Sequence, residues 1–178
     1  MLMERLIKLH FQMFLERLRK MSIVRISPLT LEDMDLLLEL RMEVLSNVFE
    51  EERKNITDDE WEKIRNQNEI YYKKHLKDLG HVACAAYVND KLAGCGGICL
   101  YDEMPSPDNI SGKCGYLMNI YVRKEFRRKG LARSICHFLI EKGKESGAEK
   151  IYLESSVMAV PLYSSMGFED MHGYMKLA

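Results

Sequence analysis

The run Cys-Gly-Tyr-Leu-Met-Asn-Ile-Tyr-Val at positions 114–122 passes through a basic turn with one glycine, Gly130, straight into an amphipathic helix over 132–147. In that helix Ile135, Cys136, Leu139 and Ile140 recur at helical spacing and form a stripe that faces a sheet. A strand feeding directly into such a helix constrains the chain to a layered structure, with a helix laid across a sheet. It also constrains chemistry. The first-turn amides of a helix lack intrahelical partners and lie at the positive end of its dipole, an arrangement that binds anions. Gly130 and the small Ala132 let backbone come close to a phosphate, while Arg123, Lys124, Arg127, Arg128 and Lys129 add long-range attraction. The turn is neither a P-loop, having no Gly-Lys-Ser/Thr, nor a dinucleotide-binding turn, lacking the G-x-G-x-x-G spacing.

The remaining pattern completes the layers. A short strand is expected over 23–26, then a helix capped by Thr30, then a second helix opened by the capping box Thr57 to Glu60 and stopped at Gly80. Apolar runs at 81–88 and 92–100 around Asn89-Asp90 predict an antiparallel hairpin. After a proline-punctuated loop at 104–112 come strands over 114–122 and 150–153, a short helix over 161–166 ended by Gly167, and a closing strand over 168–175. The order β-α-α-β-β-β-α-β-α-β predicts an α/β protein (α+β by stricter labelling), with one mixed sheet flanked by helices.

Composition narrows the function. The chain has 178 residues, of which 47% are hydrophobic, enough for one sizeable core. Its formal net charge of −1 supplies no basic field for nucleic acid, so no nucleic-acid partner is expected. Five cysteines (Cys84, Cys95, Cys99, Cys114 and Cys136) lie in apolar runs without a C-x-x-C pair, which reads as a reducing, cytoplasmic setting. The longest membrane-like run, 82–88, falls far short of the roughly 18 residues that a span needs, so no stable membrane insertion is expected. His75, His81 and His137 have no ligand-like spacing, so no metal is expected. Residues 1–20 form a separate amphipathic helical extension with Met3, Ile7, Phe11, Phe14 and Leu18 on one stripe; its readings are a core cover, a homodimer contact and a membrane-surface helix, in that order. The main domain then spans 21–178.

Two short motifs make the pattern recognisable. Arg127-x-x-Gly130-x-Ala132, after the strand ending Ile120-Tyr121-Val122, resembles the acetyl-CoA signature of the GNAT superfamily of N-acyltransferases. Pro161-Leu-Tyr163-Ser-Ser-Met-Gly167-Phe168 is similar to that superfamily's Leu-Tyr-x-x-x-Gly-Phe segment. The two stand in the family's order, about thirty residues apart, and the resemblance covers roughly residue 23 to the C-terminus.

The resemblance implies a central sheet whose fourth and fifth strands splay apart to admit acetyl-CoA. Ile120, Tyr121 and Val122 would then pair with the pantetheine. Arg127, Arg128, Lys129, Gly130, Leu131, Ala132 and Arg133 would belong to the pyrophosphate loop, with Ser156 near the pantetheine arm. Tyr163 would be the general acid for the departing thiolate. Relatives often place a general-base Glu on the fourth strand, but this strand reads Tyr116-Leu-Met-Asn119, which leaves Glu154 at the end of the fifth strand as the candidate base. The implied activity is acetyl-CoA-dependent N-acetylation of a primary amine on a small molecule or peptide; the alternative is a catalytically silent CoA-binding sensor. Acceptor residues are sought at 47–55 and on the helix bearing Trp61, Glu69, Tyr71 and Tyr72, whose acids and rings would suit a cationic amine.

Overall fold

The structure, a computed structural model, describes residue 10, residues 23–171 and residue 175. Apart from His10, the expected extension over 1–20 lies outside these residues, as do 172–174 of the expected closing strand. Five strands form one sheet in the order β1-β2-β3-β4-β5: β1 (Val24–Leu29), β2 (His81–Val88), β3 (Lys91–Asp102), β4 (Lys113–Val122) and β5 (Lys150–Leu153). All neighbours are antiparallel except β4 and β5, which run parallel. Asn89 and Asp90 both take positive φ (49° and 61°), as a two-residue primed hairpin turn requires between β2 and β3. Pro28 is tolerated because β1 is an edge strand.

Helices α1 (Met34–Val48), α2 (Glu50–Arg53) and α3 (Asp58–His75) lie between β1 and β2; α4 (Leu131–Glu145) joins β4 to β5, and α5 (Val160–Ser164) follows β5. Thr30 caps a short 3-10 turn, Leu31–Asp33, before α1 begins, because Asp33 accepts from the Thr30 amide at 2.8 Å and closes a capping box there. Thr57 and Glu60 close the expected box on α3. The acidic run at 50–52 opens the one-turn α2, and its three carboxylates lie in the first turn. Residues 168–171 form no strand, which corrects the start of the expected closing strand. Phe168 instead sets its ring edge-on to Tyr163, centroids 5.9 Å apart.

The sheet buries both faces, so its strands are apolar on both sides, with small residues where helices press closest. On one face Cys84, Ala86, Ile98 and Leu117 pack against Leu131, Ile135 and Leu139 of α4. A Cβ at Gly96 would stand 2.5 Å from Ile135, so this glycine lets α4 settle onto β3. On the other face Ala83, Ala85 and Cys95 meet Leu37, Leu38, Leu40 and Val44 of α1 and Tyr72 of α3.

Two departures from regular pairing shape one end of the sheet. Hydrogen bonding between β4 and β5 stops at Leu117 and Leu153, while β4 runs on to Val122. Across β3 the register slips between Cys95 and Gly97, so that Asn119 and Ile120 of β4 oppose Gly96 alone. This is a β-bulge, and Asn119 occupies it with φ of 59°, a conformation Asn tolerates better than most residues.

His81 shows how tightly the second face is closed. A Cβ at Gly97 would lie 2.7 Å from the His81 ring, so the missing side chain makes the room. The ring is buried between Tyr71 and Tyr72, and Nδ1 stands 3.2 Å from the Tyr71 hydroxyl. Burial first, then the nearby His75 and Arg41 charges, lower its pKa from 6.5 to about 4. The neutral ring is the native form, so its contribution is whole above pH 6.5 and is lost as the pH falls through 4, where the unfolded chain binds the proton more readily. From that shift, urea unfolding is expected to lose about 3 kcal/mol of stability between pH 6.5 and 4, and His81→Phe should flatten most of that slope.

Candidate active site

Beyond Val122 the chain makes a 3-10 turn, Lys124–Phe126, and then reverses into α4 through two residues of positive φ, Arg128 at 59° and Gly130 at 79°. Gly130 is the N-cap and has no side chain to cap with. The first amide of α4 to find a carbonyl is that of Ser134, which donates to Gly130 at 3.1 Å. The amides of residues 128–133 donate to no described group. They border a hollow of about 190 Å³ walled by Val122, Phe126, Leu131, Ala132 and Leu162. Unpaired amides at the positive end of a helix dipole, beside an open hollow, are an arrangement suited to an anion.

Most of the basic side chains around it serve the protein itself. Arg127 turns inward, donating from Nε to the Val122 carbonyl at 2.8 Å, which ties the turn to the end of β4. Arg123 grips Glu43 of α1 at 2.6 Å, and that bond raises its pKa. Arg133 reaches Ser165 beyond α5, and Lys129 donates to the Glu125 carbonyl at 3.1 Å. Lys124 and Arg128 make no described side-chain bond. The charge cluster thus divides into fasteners and a smaller set facing solvent.

Ile120 and Val122 point into the α4 core, whereas Tyr121 lies on the face shared with α1. Their backbone forms the part of β4 that β5 leaves unpaired. Across the gap, α5 contributes Leu162 to the hollow and Tyr163 to a second cleft of about 460 Å³, where Glu154, Ser155 and Phe168 also stand. Tyr163 is only 9% exposed, yet its hydroxyl makes no hydrogen bond with a described residue. Burial pushes its pKa up to about 12, so the phenol holds its proton throughout the working range. Glu154 is exposed just past β5, and its charge, after burial, helps raise the pKa of Tyr116 on β4. Ser156 is exposed and accepts the Ala159 amide at 2.9 Å in the turn that starts α5. Among the described residues no group of three or more metal-ligating side chains comes together.

The acceptor residues sought in the sequence are mostly engaged. Trp61 is covered by the Arg53 guanidinium 4.7 Å from its ring, Glu69 is bound by Lys73 at 2.6 Å, Tyr72 is core, and Tyr71 packs on His81. The bulge at Asn119 and its partner Arg41, bonded at 2.9 Å, lie outside the residues that the sequence motifs mark. An Asn inside an apolar strand run is the signal that marks such a bulge.

The family model for the GNAT acetyltransferases matches residues 42–168, well over half of the chain. The chain belongs to the GNAT acetyltransferase family. This GNAT protein is 28% identical over 109 residues to the N-acetyltransferase YjgM of Escherichia coli, covering 60% of each chain. It is 28% identical over 111 residues to an N-alpha-acetyltransferase of Saccharolobus solfataricus, covering 57% of this chain and 64% of that one. Across the curated relatives it matches, the chain spans 22% to 64% of their length. A crystal structure of a predicted acetyltransferase from Clostridium acetobutylicum with acetyl-CoA shares the fold at a TM-score of 0.75 and 24% identity, over 88% of this chain and 96% of that one.

At Gly130 a Cβ would touch nothing within 4 Å, so substitution there is opposed by the positive φ and by whatever anion approaches the amides. Gly130→Val is expected to cost roughly 1 to 3 kcal/mol of urea stability through backbone strain. By obstructing amide contacts it should weaken coenzyme A binding about tenfold or more in calorimetry.

Proposed function

We propose that this GNAT protein transfers the acetyl group of acetyl-CoA to a primary amine of a small molecule or peptide by direct attack of the amine on the thioester. One observation carries the reading: unpaired helix-start amides border a hollow beside the length of β4 that β5 leaves unpaired, and α5 closes that hollow with Leu162, next in the chain to Tyr163, whose hydroxyl bonds to no described residue. A diphosphate fits the first, an extended amide-bearing arm fits the second, and a leaving group that needs a proton fits the third.

In this reading the amides of Arg128, Lys129, Gly130, Leu131, Ala132 and Arg133 hold the pyrophosphate, and Arg127 holds the turn that presents them. The backbone of Ile120, Tyr121 and Val122 pairs with the pantetheine, and Ser156 borders it. The acceptor nitrogen forms a bond to the thioester carbon while the carbonyl π pair moves to oxygen, stabilised by backbone donors on the open edge of β4. Glu154, through water, takes the proton that the attacking nitrogen sheds. The C–S bond then breaks, and the sulfur keeps its electron pair and takes a proton from the Tyr163 phenol. The absence of a carboxylate on β4 favours a second reading, a CoA-binding module without turnover.

Thiol release from acetyl-CoA across an amine panel decides between them: release that depends on the amine supports the enzyme, whereas binding without release supports the silent module. Tyr163→Phe keeps the ring packing on Phe168 and removes only the donor. It is expected to lower kcat about a hundredfold while leaving coenzyme A affinity within about twofold. A variant with unchanged kcat would remove Tyr163 from the mechanism.

A further inference from the structure

The side chain of Arg41 on α1 is partly buried against the sheet face opposite α4. Its Nε donates to Asn68 Oδ1 of α3 at 3.0 Å and its Nη1 to Asn119 Oδ1 at 2.9 Å, and both partners are neutral. It forms no ion pair with a described carboxylate. The nearest acids on its own helix, Glu39 and Glu43, sit one turn apart and both face Arg123, at 3.8 and 2.6 Å. From α3 the groups that feel its charge are Tyr71 and Tyr72, and from β2 and β3 they are His81 and Cys95. His81 is uncharged above pH 4, and burial raises the pKa of the other three. The Nη2 group bonds to no described residue, and it is not sealed in, since no buried side-chain nitrogen or oxygen lacks a partner among the described residues.

A charge held partly out of water is ordinarily matched by a countercharge. Here the protein supplies neutral amides instead, and they aim the guanidinium at the β4 bulge. In the proposed reaction that bulge lies beside the thioester. Because α4 covers the other face, the acceptor approaches from the face that Arg41 shares. Resting on that reading, we propose that Arg41 recognises an anionic group of the acceptor, a carboxylate or phosphate carried a few bonds from the reacting amine. The fork geometry of arginine suits an oxyanion of either kind. This reverses the cationic acceptor expected from the sequence, for which Trp61, Glu69, Tyr71 and Tyr72 are already engaged.

The test uses paired amines with the intact chain: α-amino acids against their carboxamides, and glucosamine 6-phosphate against glucosamine, each followed by thiol release from acetyl-CoA. The expected result is a tenfold or greater preference in kcat/KM for the anionic member of at least one pair, the pair identifying carboxylate or phosphate. Arg41→Met should abolish that preference by weakening only the anionic member, and Arg41→Lys should restore part of it, with coenzyme A affinity within about twofold throughout. Turnover of both members at equal rates, or an Arg41→Met variant that loses both members alike, overturns the assignment while leaving the acetyltransferase reading intact. No amine-dependent release from any pair overturns the acetyltransferase reading itself; saturation-transfer NMR of the same pairs with the CoA complex then decides Arg41 separately, equal binding of both members refuting it.

Discussion

Backbone hydrogen-bonding capacity left open at one end of the sheet is the constraint around which the rest is arranged. Past Leu117 and Leu153 the strands β4 and β5 no longer bond, and the amides that begin α4 donate to no described residue. Open backbone polar groups are costly when buried without partners, so such an edge persists only where solvent or a ligand reaches it. The surrounding structure holds this edge in place without filling it.

Three features do that holding. Glycine at position 96 lets α4 rest close to β3, which sets where the helix begins relative to the strand before it. The inward bond from Arg127 to Val122 and the Arg123–Glu43 pair fix the turn from either side, one to β4 and one to α1. The Asn119 bulge bends β4 just past the point where its pairing with β5 ends. A basic turn that reads in sequence as a cloud of attraction is therefore largely a set of mechanical ties, and the anion site is left to backbone amides. That division suits a phosphate, since helix-start amides give directional contacts while long basic chains give field.

Much of this was legible in the residues because it depends on local rules. The capping box at Thr57 and the hairpin at Asn89-Asp90 follow from short-range backbone chemistry, and both formed where expected. The strand-to-helix passage ending at Gly130 is likewise a local matter of chain reversal through positive φ. What failed was also instructive. Residues 168–171 carry an apolar and polar mix compatible with a strand, but they set the Phe168 ring edge-on to Tyr163 instead, a contact that no local pattern specifies. Trp61, Glu69 and Tyr71 carry the right chemistry for a cation, yet each is engaged by a group remote from it or one helical turn away.

The order of the main elements as far as α5, the family and the place of the strand-to-helix turn at Gly130 were legible in the sequence alone, because periodicity, caps and glycine conformations act within a few residues of themselves. Which basic side chains fasten and which face outward was decided only by tertiary structure. So were the bulge at Asn119 and the countercharge missing from Arg41. The Arg123–Glu43 pair and the two bonds of Arg41 join residues 27 to 80 positions apart along the chain, brought together by packing that no local rule encodes.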